Sequence, residues 1–310
     1  MTASYVLKLA CFSLATFFAV SFAASVLLTL LSSWAIRFAQ RMQARTAARF
    51  LFALRIAPAA LGIFAVFGLC IPSYLWFEPE AAAEQLGAVC IAASIATVVL
   101  WTRAVLSAGR ALLKSHRLLQ SSRFAGETKI VAGEPALVVR TARTTVLAGV
   151  FRPVLILSRD VLETLSPEQV EAAVRHERSH SISRDNLKRL AILLAPAFLP
   201  LARIEKAWRR YAEWAADDLA VAEDRPRSLA LAEALVRVAR LGAHTEVSPL
   251  ATSLLGEDLE ARVDRLLNGE PPRQPLPWKS LALAMLAATA ILLRPSTFDL
   301  VHRALETLIH

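Results

Sequence analysis

Cysteine is scarce: the 310-residue chain has three, Cys11, Cys70 and Cys90, each inside a long apolar run. That placement excludes a disulfide framework and a cysteine-held metal knot. Charge is scarce too, at 20% of residues against 55% apolar, too greasy a balance for a soluble domain of this length, so part of the surface is expected to face lipid. Acids run short against bases, leaving a net charge of +9. Such a balance suits nucleic acid as well as membranes, but the cations cluster beside the apolar runs, where topology and anionic headgroups call for them. No zinc-finger spacing or aromatic-interleaved basic stripe is present, so no direct nucleic-acid binding is expected. Internal repeats and low-complexity tracts are absent. Of six histidines, two stand four residues apart.

Three apolar runs fill the first third: Leu9 to Ile36, Leu51 to Phe77, and Leu86 to Trp101, the last extendable to Leu106. Each is long enough, or nearly so, to cross about 30 Å of hydrocarbon at about 1.5 Å per residue. A fourth, Leu281 to Leu293, is flanked by Trp278, Lys279 and Arg294 and is short; a fourth span and a buried core helix are both open readings. Lys8 followed by an apolar stretch invites comparison with a signal peptide, but apolar character runs on to Ile36, which predicts an uncleaved anchor. Arg37, Arg41, Arg45 and Arg49 follow the first run, Glu78, Glu80 and Glu84 separate the second from the third, and Arg103, Arg110, Lys114, Arg117 and Arg123 follow the third. This bias predicts an outer amino terminus and a cytoplasmic segment from about Arg103 to Pro277. After a fourth span, Leu300, Val301, Ala304, Leu305 and Leu308 would form a small interfacial helix on the outer side. The expected organisation is a three-helix transmembrane region (1–106), a cytosolic domain (107–277), and a fourth transmembrane helix with a short extracytoplasmic tail (278–310).

His176-Glu177-Arg178-Ser179-His180 is the chain's most informative stretch. On a helix this HExxH spacing puts both imidazoles on one face, ready to grip a zinc ion, with Glu177 placed as general base toward a water on that ion. Ser166 is a plausible N-cap, Pro167 suits the first helical position, and Gln169 completes a capping box. A catalytic zinc takes three protein ligands and leaves one position open, so a third donor is needed. The helical segment from Ala207 to Glu223 offers Glu213, with Asp217 one turn on to accept a hydrogen bond from the free ring nitrogen of a ligating histidine. Asp185 is a second candidate for that outer role. An acidic helix surface would explain the same carboxylates without a metal.

Between the third run and this motif the pattern turns β-like. Lys129 to Ala132, Ala136 to Thr141, Thr145 to Val150 and Val154 to Ser158 are expected to form a small sheet, with Thr145 to Val150 a candidate edge for pairing an extended peptide. Leu190 to Leu201, broken by Pro196 and Pro200, is too brief to span and is expected as an interfacial or core element. Arg225-Pro226 marks a turn, Leu229 to Leu241 and Leu254 to Leu267 read as amphipathic helices, and Asn268 to Pro277 reads as a linker.

Several stretches together resemble the BlaR/MecR-type membrane metallopeptidases. They are Gly149 to Leu157, Arg175 to His180 followed by Arg184-Asp185-Asn186, Glu213-Trp214-Ala215-Ala216-Asp217, and Leu259 to Leu267, in a chain with three spans, an HExxH domain and a fourth apolar run. The resemblance covers most of the chain. It implies an α-helical membrane protein with an α+β cytosolic gluzincin-like zinc metalloprotease domain, in a bacterial-type cytoplasmic membrane. His176, His180 and Glu213 would bind Zn2+, Glu177 would be the general base, and a cytosolic or membrane-proximal protein, such as a transcriptional repressor, would be the substrate. Two features depart from the family. Arg178 is charged where such peptidases prefer uncharged residues, and is expected to be tolerated. The extracellular ligand-binding domain that the founding sensors carry after the fourth span is not expected here. An HtpX/CAAX-like quality-control or processing protease, and a non-catalytic membrane signal transducer, are the alternatives.

Overall fold

In a computed structural model, the chain is described at residues 3–77, 87–140, 145–241, 250, 252–254 and 258–269. The acidic stretch at 78–86, the fourth apolar run and the carboxyl-terminal tail lie outside the described residues. The architecture is mostly helical, with three long apolar segments and one small mixed sheet.

Helix α1 (Ala3–Ala39) and helix α2 (Ala44–Ala65) form an antiparallel pair. A five-residue π-helical turn (Val66–Cys70) joins α2 to α3 (Ile71–Phe77) without breaking the rod. Helix α4 (Ala88–Ala125) follows. By length and composition Tyr5–Ala39, Ala44–Leu75 and Ala88–Ala125 can each cross a membrane. The segments cross closely where small and hydroxylic residues allow it. A Cβ on Gly62 would stand 2.3 Å from Ser21 Oγ, so only glycine fits there. Ser21 donates to Pro58 O, while Ser94 and Thr97 of α4 donate to Cys11 O and Leu14 O of α1. Such contacts hold apolar helices together where lipid offers no hydrophobic drive.

Helix α4 runs on, unbroken, past Leu106. Its Ala108 and Ala111 pack with Leu190, and Leu118 and Leu119 lie against the sheet. The strands are β1 (Glu127–Val131), β2 (Glu134–Val139), β3 (Thr145–Ala148) and β4 (Val154–Ser158). Next come α5 (Arg159–Thr164), α6 (Pro167–Ser183), α7 (Asp185–Leu194), α8 (Ala202–Val221), α9 (Arg225–Arg240), β5 (Thr252–Ser253) and α10 (Leu259–Asn268). The strand order is β1-β2-β4-β3-β5, with β2 and β4 parallel and the other pairs antiparallel.

Four expectations need correction. Thr145–Ala148 is not a sheet edge: Val146 pairs with Ser253 and Leu147 with Thr252, so β5 covers the flank that β4 leaves open. Leu254 is not helical; it extends this pairing by donating its N–H to Thr145 O, and the final helix starts only at Leu259. Asn268 belongs to that helix rather than to a linker, and 270–277 lies outside the described residues. Pro226 lies in the first turn of α9, where its missing N–H costs nothing, instead of marking a turn.

The patch Leu190 to Leu201 is a core element against the long helices. Phe198 packs edge-on against Phe18 at 4.6 Å, and Arg55 of α2 donates to Ala195 O and Ile192 O and pairs with Glu205. Arg55 thereby satisfies carbonyls left open where α7 ends. Farther along α2, Ala44, Ala47, Ala48 and Leu51 bury against Ile204, Trp208, Tyr211 and Ala212 of α8.

Candidate metal centre

Helix α6 begins with a complete capping box. Ser166 Oγ accepts from Gln169 N, Gln169 Oε1 accepts from Ser166 N, and Pro167 occupies the first turn. Ala172, Ala173 and Val174 bury the helix against its neighbours, and one turn later His176, Glu177 and His180 face inward. Helix α8 crosses α6 and brings Glu213 to the same point.

The three donors fit a small tetrahedral ion. His176 Nε2 is 3.1 Å from His180 Nε2, and Glu213 Oε2 is 3.5 and 3.7 Å from the two nitrogens. An ion bonded at about 2.0–2.1 Å sets its tetrahedral donors about 3.4 Å apart. The other ring nitrogens are committed. His176 Nδ1 lies 2.9 Å from Asp217 Oδ1, and His180 Nδ1 lies 2.8 Å from Asp185 Oδ2. With those N–H groups donated to carboxylates, both Nε2 lone pairs point at the shared space. The structure thus brings together all six residues singled out from the sequence.

Charge favours a cation here. Four carboxylates, Glu177, Asp185, Glu213 and Asp217, outnumber the two fixed cations, Arg262 and Lys188. Without an ion, protons on the histidines and on Glu177 offset that excess, and a divalent ion bound to neutral imidazoles would take their place. Burial alone would lower the His180 pKa, but Glu213 and Asp185 outweigh it and carry it to about 10. Burial likewise pushes the Glu213 carboxyl up, and His180 and Arg262 hold it well below the usual carboxylate range instead. Glu177 behaves differently: burial dominates and raises it to about 7. Among the described residues, neither of its buried carboxylate oxygens has a hydrogen-bond partner, as suits a group placed for a water or substrate atom. The residues fit a metal ion on geometry, donor chemistry and charge.

Two residues that sequence reading missed complete the centre. Arg262 of α10 is fully buried; its guanidinium clasps both Asp217 oxygens, at 2.7 and 2.9 Å, and approaches Glu213 Oε2 at 3.2 Å. It also donates to Leu254 O, tying β5 and α10 to the ligands. A signal existed: Arg262 falls three residues after Leu259 and four before Leu266, within an apolar stripe where a charge must have buried partners. Asn186 is the second. Arg184 takes a left-handed conformation (φ 55°) that ends α6 and starts α7. The reversal turns Asp185 back onto His180 and lets Asn186 donate to Leu147 O and Gly149 O, pinning β3 beside the centre. Arg178 leaves this cluster, pairing with Glu134 on the far side of α6.

No family model matches the chain. No curated protein matches it either. The functional reading therefore stands on the centre's own geometry and chemistry.

Proposed function

We propose that the chain is an integral membrane zinc endopeptidase of BlaR/MecR type, with a gluzincin-like domain acting on a cytosolic or membrane-proximal protein. The observation that carries this reading is the near-tetrahedral set of His176, His180 and Glu213 beside the unpartnered Glu177 carboxylate. Two imidazoles and one carboxylate are the donor set of catalytic zinc, where saturating structural sites use four protein donors. A bound zinc ion would polarise the scissile carbonyl and acidify a water.

The chain's residues supply the rest. Glu177 accepts the proton from the attacking water at its carboxylate and delivers it to the leaving amine nitrogen. Its raised pKa leaves it near balance between giving and taking at neutral pH, and the ion's charge would pull that value down again. Asp217 and Asp185 fix the two imidazole planes, and Arg262 holds Asp217. The three apolar segments support membrane residence, and their basic flanks support a cytoplasmic centre. A transcriptional repressor remains the proposed substrate class, on the resemblance alone.

The test is cleavage by full-length, membrane-reconstituted protein with added zinc, on candidate cytosolic repressors, against Glu177→Gln. Loss of cleavage with zinc retained is expected. Equal cleavage by both proteins would sink the mechanism, and cleavage by neither, with zinc bound, would favour the non-catalytic transducer.

A further inference from the structure

A second site lies on the side of the centre facing the α1–α2 connection. A cavity of about 180 Å³ opens between the start of α2, the α6–α7 reversal and α8, lined by Arg45, Ala48, Arg49, Ile182, Ser183, Asp185, Lys188, Ala212 and Ala215. Arg45 and Arg49 stand one helical turn apart, are exposed, and form no ion pair among the described residues. Lys188 completes the rim, with Nζ 2.8 Å from Asp185 Oδ1. The single lining carboxylate is already held by Lys188 and by His180 Nδ1. With three cations against one anion, the cavity carries two uncompensated positive charges. Apart from Ile182 and Ser183, the rest of its wall is small side chains, Ala48, Ala212 and Ala215, which leave room instead of filling it.

We propose that this cavity binds a phosphate group, supplied by an anionic phospholipid headgroup or by free phosphate. Two guanidinium forks one turn apart match phosphate oxygens, and an ammonium adds a third donor. The apolar run of α2 begins at Leu51, two residues past Arg49, so the site sits where the helix leaves its apolar stretch. Anionic headgroups gather at such basic helix ends. The bound phosphate lies one carboxylate away from His180, so the site adjoins the metal centre without sharing a ligand with it. It does not depend on the proposed hydrolysis, because binding is read without metal or substrate.

The experiment is thermal unfolding of the full chain in neutral detergent, titrated separately with short-chain phosphatidylglycerol, short-chain phosphatidylcholine and inorganic phosphate. A saturable rise of the midpoint with phosphatidylglycerol and not with the other two identifies the headgroup as the source. A rise with inorganic phosphate as well identifies phosphate itself. In either case Arg45→Gln/Arg49→Gln weakens binding at least about tenfold, since two charge-assisted contacts are lost. Arg37→Gln/Arg41→Gln removes the same charge outside the cavity and should bind as the parent does. No saturable shift with phosphatidylglycerol or phosphate, parent-like binding by Arg45→Gln/Arg49→Gln, or equal loss in the two double variants would overturn the proposal.

Discussion

Asp217→Asn and Asp185→Asn make the same chemical change on two sides of one metal centre, and the structure predicts that they differ. Each carboxylate receives the free N–H of one ligating histidine, at 2.9 Å for Asp217 and 2.8 Å for Asp185. Losing such an outer partner costs about 10–100-fold in metal affinity, so a loss of that order is expected from both. Stability separates them. Asp185 has Lys188 as its second partner, and that side chain is 23% exposed, so its ammonium can return to water. The cost is that of a charged hydrogen bond, about 1.5–3 kcal/mol. Asp217 instead clasps the fully buried Arg262 through both oxygens. Asparagine there leaves the buried guanidinium with Glu213 as its one remaining carboxylate partner among the described residues, beside Leu254 O, so the cost is expected toward the low end of the about 3–5 kcal/mol for removing one partner of a buried pair. The assay is chemical unfolding of the metal-free proteins in detergent, with zinc affinity from chelator competition. Equal stability of the two variants would refute the idea that Arg262 depends on Asp217, and unchanged zinc affinity in both would refute the orienting role of the carboxylates.

Glu177→Gln should stabilise the metal-free protein at pH above about 7. Its carboxyl is raised from 4.5 to about 7 on folding, so ionisation opposes folding increasingly from pH 4.5 to 7; unfolding curves across that range should converge at low pH, and a constant gap would contradict this. Asn186→Ala removes the donor shared by Leu147 O and Gly149 O and should cost about 1–3 kcal/mol, with faster amide hydrogen exchange confined first to β3; exchange unchanged in β3 would show that Asn186 does not pin it. Ser166→Ala breaks the capping box of α6 and should cost about 1 kcal/mol in equilibrium unfolding, against no change if the cap is idle. Gly62→Leu should disrupt the α1–α2 crossing, read as loss of folded protein in detergent, because even a Cβ would meet Ser21 and Phe17; full recovery would refute that packing.

The local signals were legible in the sequence wherever they acted over one element. Ser166, Pro167 and Gln169 set the start of α6 through neighbouring residues alone, and Val154 to Ser158 formed the strand its β-branched and leucine residues suggest. The long apolar runs likewise became the long helices, because length and composition decide that outcome. Pairings between distant segments were not legible. Thr252 and Ser253 carry no strong strand signal, and they pair with β3 only because the preceding fold leaves its flank open. The end of α6 depends on a left-handed arginine, where the pattern would have favoured glycine or asparagine. Arg262 was read as part of an ordinary amphipathic helix, since its partners, Asp217 and Glu213, lie more than forty residues away in the chain.

The most direct measurement is metal content of the purified full-length protein by plasma mass spectrometry, for the parent, Glu177→Gln and Glu213→Ala. About one zinc per chain is expected in the first two, and none in the third while it remains folded. Zinc retained at parental stoichiometry in Glu213→Ala would remove that carboxylate from the ligand set, and a zinc-free parent that fails to take up added zinc would contradict the metal centre altogether.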